Sequence, residues 1–131
     1  MYRKRRYILS LFLILAYFFA NAQHEADYWY FGNYAALDFS SGNPEPLTDG
    51  ALHNYEGCAV ASDSAGNLLF YTNGVTVWNR EHQIMENGND LYGDSSSSQS
   101  AIMVPHPGND SLFYIFTADV LRKCKRILRT I

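Results

Sequence analysis

Between residues 7 and 121 the chain has a single basic side chain, Arg80. The other nine Lys and Arg residues sit in two terminal clusters, four at positions 3–6 and five at positions 122–129. All 13 acidic residues, from Glu25 to Asp119, lie between those clusters, so residues 23–121 carry 1 − 13 = −12. The formal net charge of −3 hides this segregation. A body so poor in Lys and Arg cannot neutralise phosphates, which excludes nucleic acid as a partner. The charge suits a soluble exterior protein, a cation binder or a partner of basic surfaces.

Cysteine is scarce. Cys58 and Cys124 cannot build a disulfide framework. Cys58 falls in a predicted strand and reads as a small buried apolar residue, with a Cys58–Cys124 bridge as the alternative in an oxidising compartment. Long apolar runs are also missing. Ile8 to Ala20 spans 13 residues, too short for a comfortable membrane crossing. The basic stretch MYRKRRY precedes it and Ala20-Asn21-Ala22 follows, the layout of a cleavable secretory leader. The expectation is a leader at 1–22, a mature chain from Gln23, and export to the periplasm, the cell surface or the exterior. Left uncleaved, the leader would be the chain's contact with a membrane.

Helical periodicity is absent from residue 23 to about 119. Short runs rich in aromatic and β-branched residues take its place, broken by Gly, Asn, Asp, Ser and Pro. Predicted strands are 28–31, 36–39, 58–62, 68–72, 75–79, 83–86, 101–104 and 112–117. In NLLFYTNGVTVW (67–78), Asn73-Gly74 predicts a two-residue hairpin turn. That register pairs Thr72 with Val75, Tyr71 with Thr76, Phe70 with Val77 and Leu69 with Trp78. Phe70 and Val77 then share one face, and Leu69, Tyr71 and Trp78 the other. Burying one large apolar side chain is worth about 1.5–3 kcal/mol, so both faces call for cover. Asp63 and Gly66 predict a second turn, through side-chain hydrogen bonding and a left-handed backbone respectively. Residues 105–110 predict a third.

Four antiparallel strands within residues 58–86, apolar on both faces and ending in a short polar edge, describe a propeller blade. A weak repeat agrees: Leu69-Phe70-Tyr71 recurs as Leu112-Phe113-Tyr114, and Gly66-Asn67 as Gly108-Asn109. The expected fold class is all-β: antiparallel meander blades of an incomplete β-propeller, one full four-stranded blade plus partial neighbours, over residues 23–119. Propellers need about 4–8 blades, so further blades, a smaller sandwich or self-assembly must complete it. The tail at 120–131 changes composition abruptly and reads as an abnormal end of a longer frame. An amphipathic basic helix is the rival, with Val120, Leu121, Cys124, Ile127, Leu128 and Ile131 on one face.

Chemistry-bearing patterns are sparse. His24, His53, His82 and His106 lack zinc spacing. Ser95 to Ser98 and Ser100 have no nucleophile elbow around them. Glu56 and Asp63 could form a carboxylate pair for glycoside hydrolysis, although Asp63 already serves as a turn residue. The stretch SDSAGNLLF is similar to the Asp-box hairpin of sialidase propellers, but Asp63 stands three residues before Gly66 rather than two. Asn87-Gly88-Asn89-Asp90 with Asp94 offers oxygen ligands for calcium without EF-hand spacing; otherwise no cofactor is expected, and no enzyme. Trp29, Tyr30, Tyr34 and Tyr55 could stack on a glycan or pack between blades.

The strings WYFG, EGCAVASD, GNLLFYTNG, VWNR and QSAIMVP together resemble the N-terminal region of large secreted surface proteins of gliding-type bacteria. The resemblance spans nearly all of residues 28–119. It implies a β-propeller-like domain followed by PKD or other immunoglobulin-like modules, and a gliding-motility-associated C-terminal domain read by type IX secretion. This chain lacks those later parts, and the family transfers no catalytic residues. The functional expectation is a non-enzymatic exported module for adhesion or scaffolding at the cell surface, a fragment of a larger multidomain protein, with glycan or protein partners. A remnant of a carbohydrate-active propeller enzyme or glycan-binding domain is the alternative.

Overall fold

The computed structural model describes residues 24–119 and, for the backbone, residues 125–130. The expected leader and Cys124 lie outside the described residues. Among the described residues, nine strands form three antiparallel sheets in chain order. The first holds β1 (Tyr28–Phe31), β2 (Ala35–Asp38) and β3 (Glu45–Leu47). The second holds β4 (Ala59–Ser62), β5 (Leu68–Thr72) and β6 (Val77–Asn79). The third holds β7 (Ala101–His106), β8 (Asn109–Thr117) and β9 (Lys125–Thr130). No helix occurs among the described residues, and the protein is all-β with antiparallel sheets.

Residues 67–79 form a hairpin, but not in the expected register. Thr72 pairs with Val77, Tyr71 with Trp78 and Phe70 with Asn79, so the loop has four residues rather than two. The cause is Asn73. Instead of taking a left-handed backbone, it accepts hydrogen bonds on Oδ1 from the amides of Val75 and Thr76, at 3.0 and 2.9 Å. Gly74 alone in this loop is left-handed, at φ 85°. A shift of two residues leaves the facing of alternate side chains unchanged. Phe70 and Val77 still share one face, and Tyr71 and Trp78 the other. Leu69 differs: a register irregularity between Ala61 and Ser62 moves it to the Phe70 face and puts Leu68 with Tyr71.

Both faces of this central sheet are covered. Ala61, Phe70 and Val77 pack with Leu91, Ala101, Phe113 and Ile115 toward the third sheet. Tyr71, Trp78 and Leu68 pack with Tyr30, Ala36 and Leu52 toward the first.

The expected fourth strand at 83–86 shrinks to one bridge, Trp78 to Ile84. β6 has only three residues, and Gly88 takes up the Val77 amide at 2.8 Å, which interrupts a longer ladder. β3 was not expected because Pro46 cannot donate to a ladder; as an outer strand against β2 it tolerates the proline. The tail contradicts the helical alternative. Residues 125–130 pair along β8, from Thr117–Lys125 to Leu112–Thr130. A twelve-residue helix is marginal alone, whereas the nine-residue β8 offers a long ladder edge.

The second and third sheets repeat one plan. Their first strands lie side by side. The Ser100 hydroxyl before β7 donates to the Gly57 carbonyl before β4, so the two strands start together. Both hairpins carry a register irregularity just before the turn, at Ala61/Ser62 and at Pro105/His106. Both turns carry a left-handed glycine, Gly66 and Gly108. The first sheet meets the second in the opposite sense. Cys58, before β4, donates its thiol to the carbonyl of Tyr30 late in β1 at 3.1 Å. Gly66, beyond β4, lies against Asp27 before β1.

Candidate binding surface

Two clusters stand out where the first and second sheets meet, one buried and one exposed. The buried one centres on Tyr71. Its ring stacks on Tyr30 with centroids 4.4 Å apart and planes 5° from parallel, and on Trp78 at 5.5 Å. Its hydroxyl accepts from the Ala51 amide at 2.9 Å and meets Nδ1 of His82 at 3.0 Å. Nε2 of His82 faces Asp49 Oδ2 at 3.3 Å, and the Tyr30 hydroxyl donates to Asp49 Oδ1 at 3.4 Å. A neutral imidazole carries one N–H. Pointing it at Asp49 leaves Nδ1 to accept the Tyr71 proton. Burial, with Asp49 nearby, raises the pKa of Tyr30 above its ordinary value; burial also raises that of Tyr71, against the lowering pull of the Ala51 amide. The chain Asp49–His82–Tyr71 has the form of a proton relay. Tyr71 is fully buried and its oxygen is occupied, so the network braces the sheet interface.

His82 occupies a left-handed backbone position, φ 60°. The reason is a turn built twice. Asp63 Oδ1 accepts from the amides of Ala65 and Asn67, and Asn79 Oδ1 from those of Glu81 and Gln83. Gly66 N–H reaches Asp63 O as His82 N–H reaches Asn79 O. His82 therefore stands where the twin turn has glycine. The spacing Asn79-x-x-His82-Gln83 against Asp63-x-x-Gly66-Asn67 was the available sequence signal, and sequence reasoning missed it.

The exposed cluster is a row of three rings. Tyr34 and His53 have centroids 5.9 Å apart, and His53 and Tyr55 5.3 Å apart, edge to face. Tyr34 is 52 % and Tyr55 76 % exposed. Their backbones are pinned. Tyr34 N–H donates to Leu52 O, Asn54 N–H to Gly32 O, and Tyr55 N–H to Ser95 O. The Asn73 amide donates to His53 O at 3.1 Å, so the loop of the central hairpin supports the row from below. Ser98 donates to the Glu56 carboxylate at 2.5 Å beside it. Tyr34 is itself left-handed, φ 58°.

A cavity of about 510 Å³ runs between β1 and β4, lined by Trp29, Phe31, Leu37, Cys58 and Val60 with Glu25 at its edge. Tyr34 follows Phe31 by three residues and Tyr55 precedes Cys58 by three, which keeps each within roughly 11 Å along the chain of a cavity wall. A second cavity, about 520 Å³, lies between β4 and β7.

Comparison with known proteins gives no match: no family model, no curated protein and no solved structure.

The sequence-predicted residues divide accordingly. Tyr34 and Tyr55 come together, joined by His53, which the sequence suggested only as a zinc ligand without the right spacing. Tyr30 is 2 % exposed, with its ring stacked on Tyr71, so it packs inside the fold rather than joining the exposed row, which corrects its place among the glycan contacts. Trp29 lies apart from the row, against Phe39 at 5.1 Å and in the cavity wall. Asp63 and Gly66 form the turn between β4 and β5; Asn67 side-chain and backbone N–H groups hold the Asp63 carboxyl below its ordinary pKa. Asn73 and Gly74 shape a buried loop rather than a two-residue tip: a Cβ on Gly74 would stand 2.6 Å from the Ser100 carbonyl oxygen. Glu56 and Asp63 sit at opposite ends of β4 and form no pair. His24 pairs with Asp27 at 2.8 Å, and His106 stacks on Tyr114 at 5.4 Å. In the calcium candidate, Asn87 and Asp90 are left-handed, and Asp94 binds the amide and hydroxyl of Ser96. Among the described residues no three of His, Cys, Asp and Glu gather as metal ligands. Cys58 is a free thiol, raised in pKa by burial.

Proposed function

We propose that this chain is a propeller-like segment of an exported binding or scaffolding module rather than an enzyme. The observation that carries the proposal is the central sheet, apolar on both faces and packed between two other meanders. A sheet of that kind belongs inside a succession of like sheets. The shared plan of the second and third sheets supports the blade interpretation, as does the neighbouring of β4 and β7. The first sheet, entering in the opposite sense, acts as a flanking layer. An acidic body with one basic residue suits a soluble exterior surface. The buried network, with the Tyr71 hydroxyl enclosed and already partnered, is bracing, and the exposed aromatic row is a surface for recognition.

Production of the chain with its own N-terminus in a gliding-type bacterium tests both halves. Export predicts extracytoplasmic protein beginning at Gln23. Retention in the cytoplasm with residues 1–22 attached would overturn the export half. Turnover of glycosides by the purified protein, abolished by Glu56→Gln with binding retained, would overturn the non-enzymatic half.

A further inference from the structure

We infer, building on the binding-module proposal above, that Tyr34, His53 and Tyr55 form a binding subsite for a neutral carbohydrate. Three observations converge. First, the rings are exposed while the backbone beneath them is fixed. Leu52, Asn54, Asn73 and Ser100 around the row are buried, and hydrogen bonds from four separate chain segments close on it. A surface of this kind loses little freedom on binding. Second, Tyr34 holds a left-handed backbone that Gly or Asn would adopt more readily; for a bulky residue that conformation costs of order 1 kcal/mol. The residue is only about half buried in return, at 52 % exposure. Backbone strain at an exposed aromatic points to a use outside the fold.

Third, the surroundings select the ligand. Arg80 is the only Lys or Arg from residue 24 to 119, and none of the residues described in contact with the row is a Lys or Arg, so a phosphorylated, sulfated or uronic ligand finds no ammonium or guanidinium among them. Two tyrosine hydroxyls, an imidazole and the Ser98–Glu56 pair border the row, which is too polar for a lipid chain. The rings form an open row, His53 edge to face with Tyr55 and tilted 56° to Tyr34, rather than walls around a cation. What remains is a ligand with apolar C–H faces and many hydroxyls. Such a ligand stacks on Tyr34 and Tyr55 and hydrogen-bonds their hydroxyls, His53 and Glu56.

The test uses the purified protein, titrated calorimetrically with cellohexaose, laminarihexaose and chitohexaose, and with a heparin hexasaccharide and choline as comparison arms. At least one neutral hexasaccharide is expected to bind. Tyr34→Asn keeps a residue that tolerates the left-handed backbone, so the melting temperature should hold or rise while affinity falls about tenfold. Tyr55→Ala, at an exposed position, should weaken binding similarly without changing stability. The inference is overturned if no neutral hexasaccharide binds, if only heparin or choline binds, or if binding survives both Tyr34→Asn and Tyr55→Ala. Absence of binding by protein that still begins at Gln23 would remove this subsite alone; hydrolysis of the sugars would instead remove the non-enzymatic proposal on which it rests.

Discussion

Phe70 and Phe113 meet edge to face across the second and third sheets, with ring centroids 5.2 Å apart and planes at 84°. They are corresponding residues of the Leu-Phe-Tyr repeat, so the repeat packs against itself at its own central position. Either residue changed to alanine should cost about 3–5 kcal/mol. A double-mutant cycle by urea denaturation should give a coupling of about 0.5–1.5 kcal/mol beyond burial. Additive single losses would mean that the two rings do not act as a pair.

At His82 the backbone and the side chain can be tested separately. His82→Ala and His82→Gly both remove the imidazole from Tyr71 and Asp49. Only glycine is at ease at φ 60°. The glycine variant should therefore be more stable than the alanine variant by about 1 kcal/mol. Tyr71→Phe, which leaves the Ala51 amide without its acceptor, should cost about 1–3 kcal/mol. Thermal melts of the three variants decide the matter.

The tyrosines set an alkaline limit. Burial raises Tyr30 and Tyr71 above the ordinary phenol value near pH 10. A raised folded-state pKa gives stability that is complete below the unfolded value and is lost as pH rises through the folded value. Absorbance at 295 nm should show these two phenols ionising above the ordinary phenol range, together with unfolding.

Asp63 behaves in the reverse sense. Hydrogen bonds from Asn67 and Ala65 hold its carboxyl below the roughly 3.9 of a free aspartate. Its contribution is present above the unfolded pKa and disappears as pH falls through the folded one. Carboxyl NMR titration should place its midpoint below the roughly 3.9 of a free aspartate.

Two glycines mark the difference between crowding and conformation. A Cβ on Gly93 would stand 2.3 Å from the carbonyl oxygen of Gly74, a backbone atom that cannot swing aside. On Gly108 a Cβ meets nothing within 4 Å, although φ is 85°. Gly93→Ala should lose about 1–3 kcal/mol or more through overpacking, and Gly108→Ala only about 1 kcal/mol from its backbone angle. Equal losses in chemical denaturation would show that the loop at residues 73–76 yields to Gly93.

What the sequence disclosed, and what it concealed, follows from how local each cause is. The two apolar faces around Phe70 and Tyr71 were legible because alternation survives a register shift of two. The register itself was not, because Asn73 can either adopt a left-handed backbone or cap a turn with its amide, and the choice depends on distant His53. β9 was hidden because Lys125 to Thr130 has no strand pattern of its own and pairs only where β8 presents an edge. Tyr34 and Tyr55 were individually recognisable as unusual aromatics. Their junction through His53 depends on a bridge between Asn33 and His53, twenty residues apart, which no short-range pattern encodes.

The covering of the central sheet from both sides makes stability a matter of neighbours. In a stack where each layer contacts only the next, the free energy is close to a sum of layer terms and interface terms. The middle layer owns two interfaces and each flanking layer one. Amide hydrogen exchange should therefore be graded, slowest through Leu68–Thr72 and faster outward, with the flanks opening as separate cooperative units.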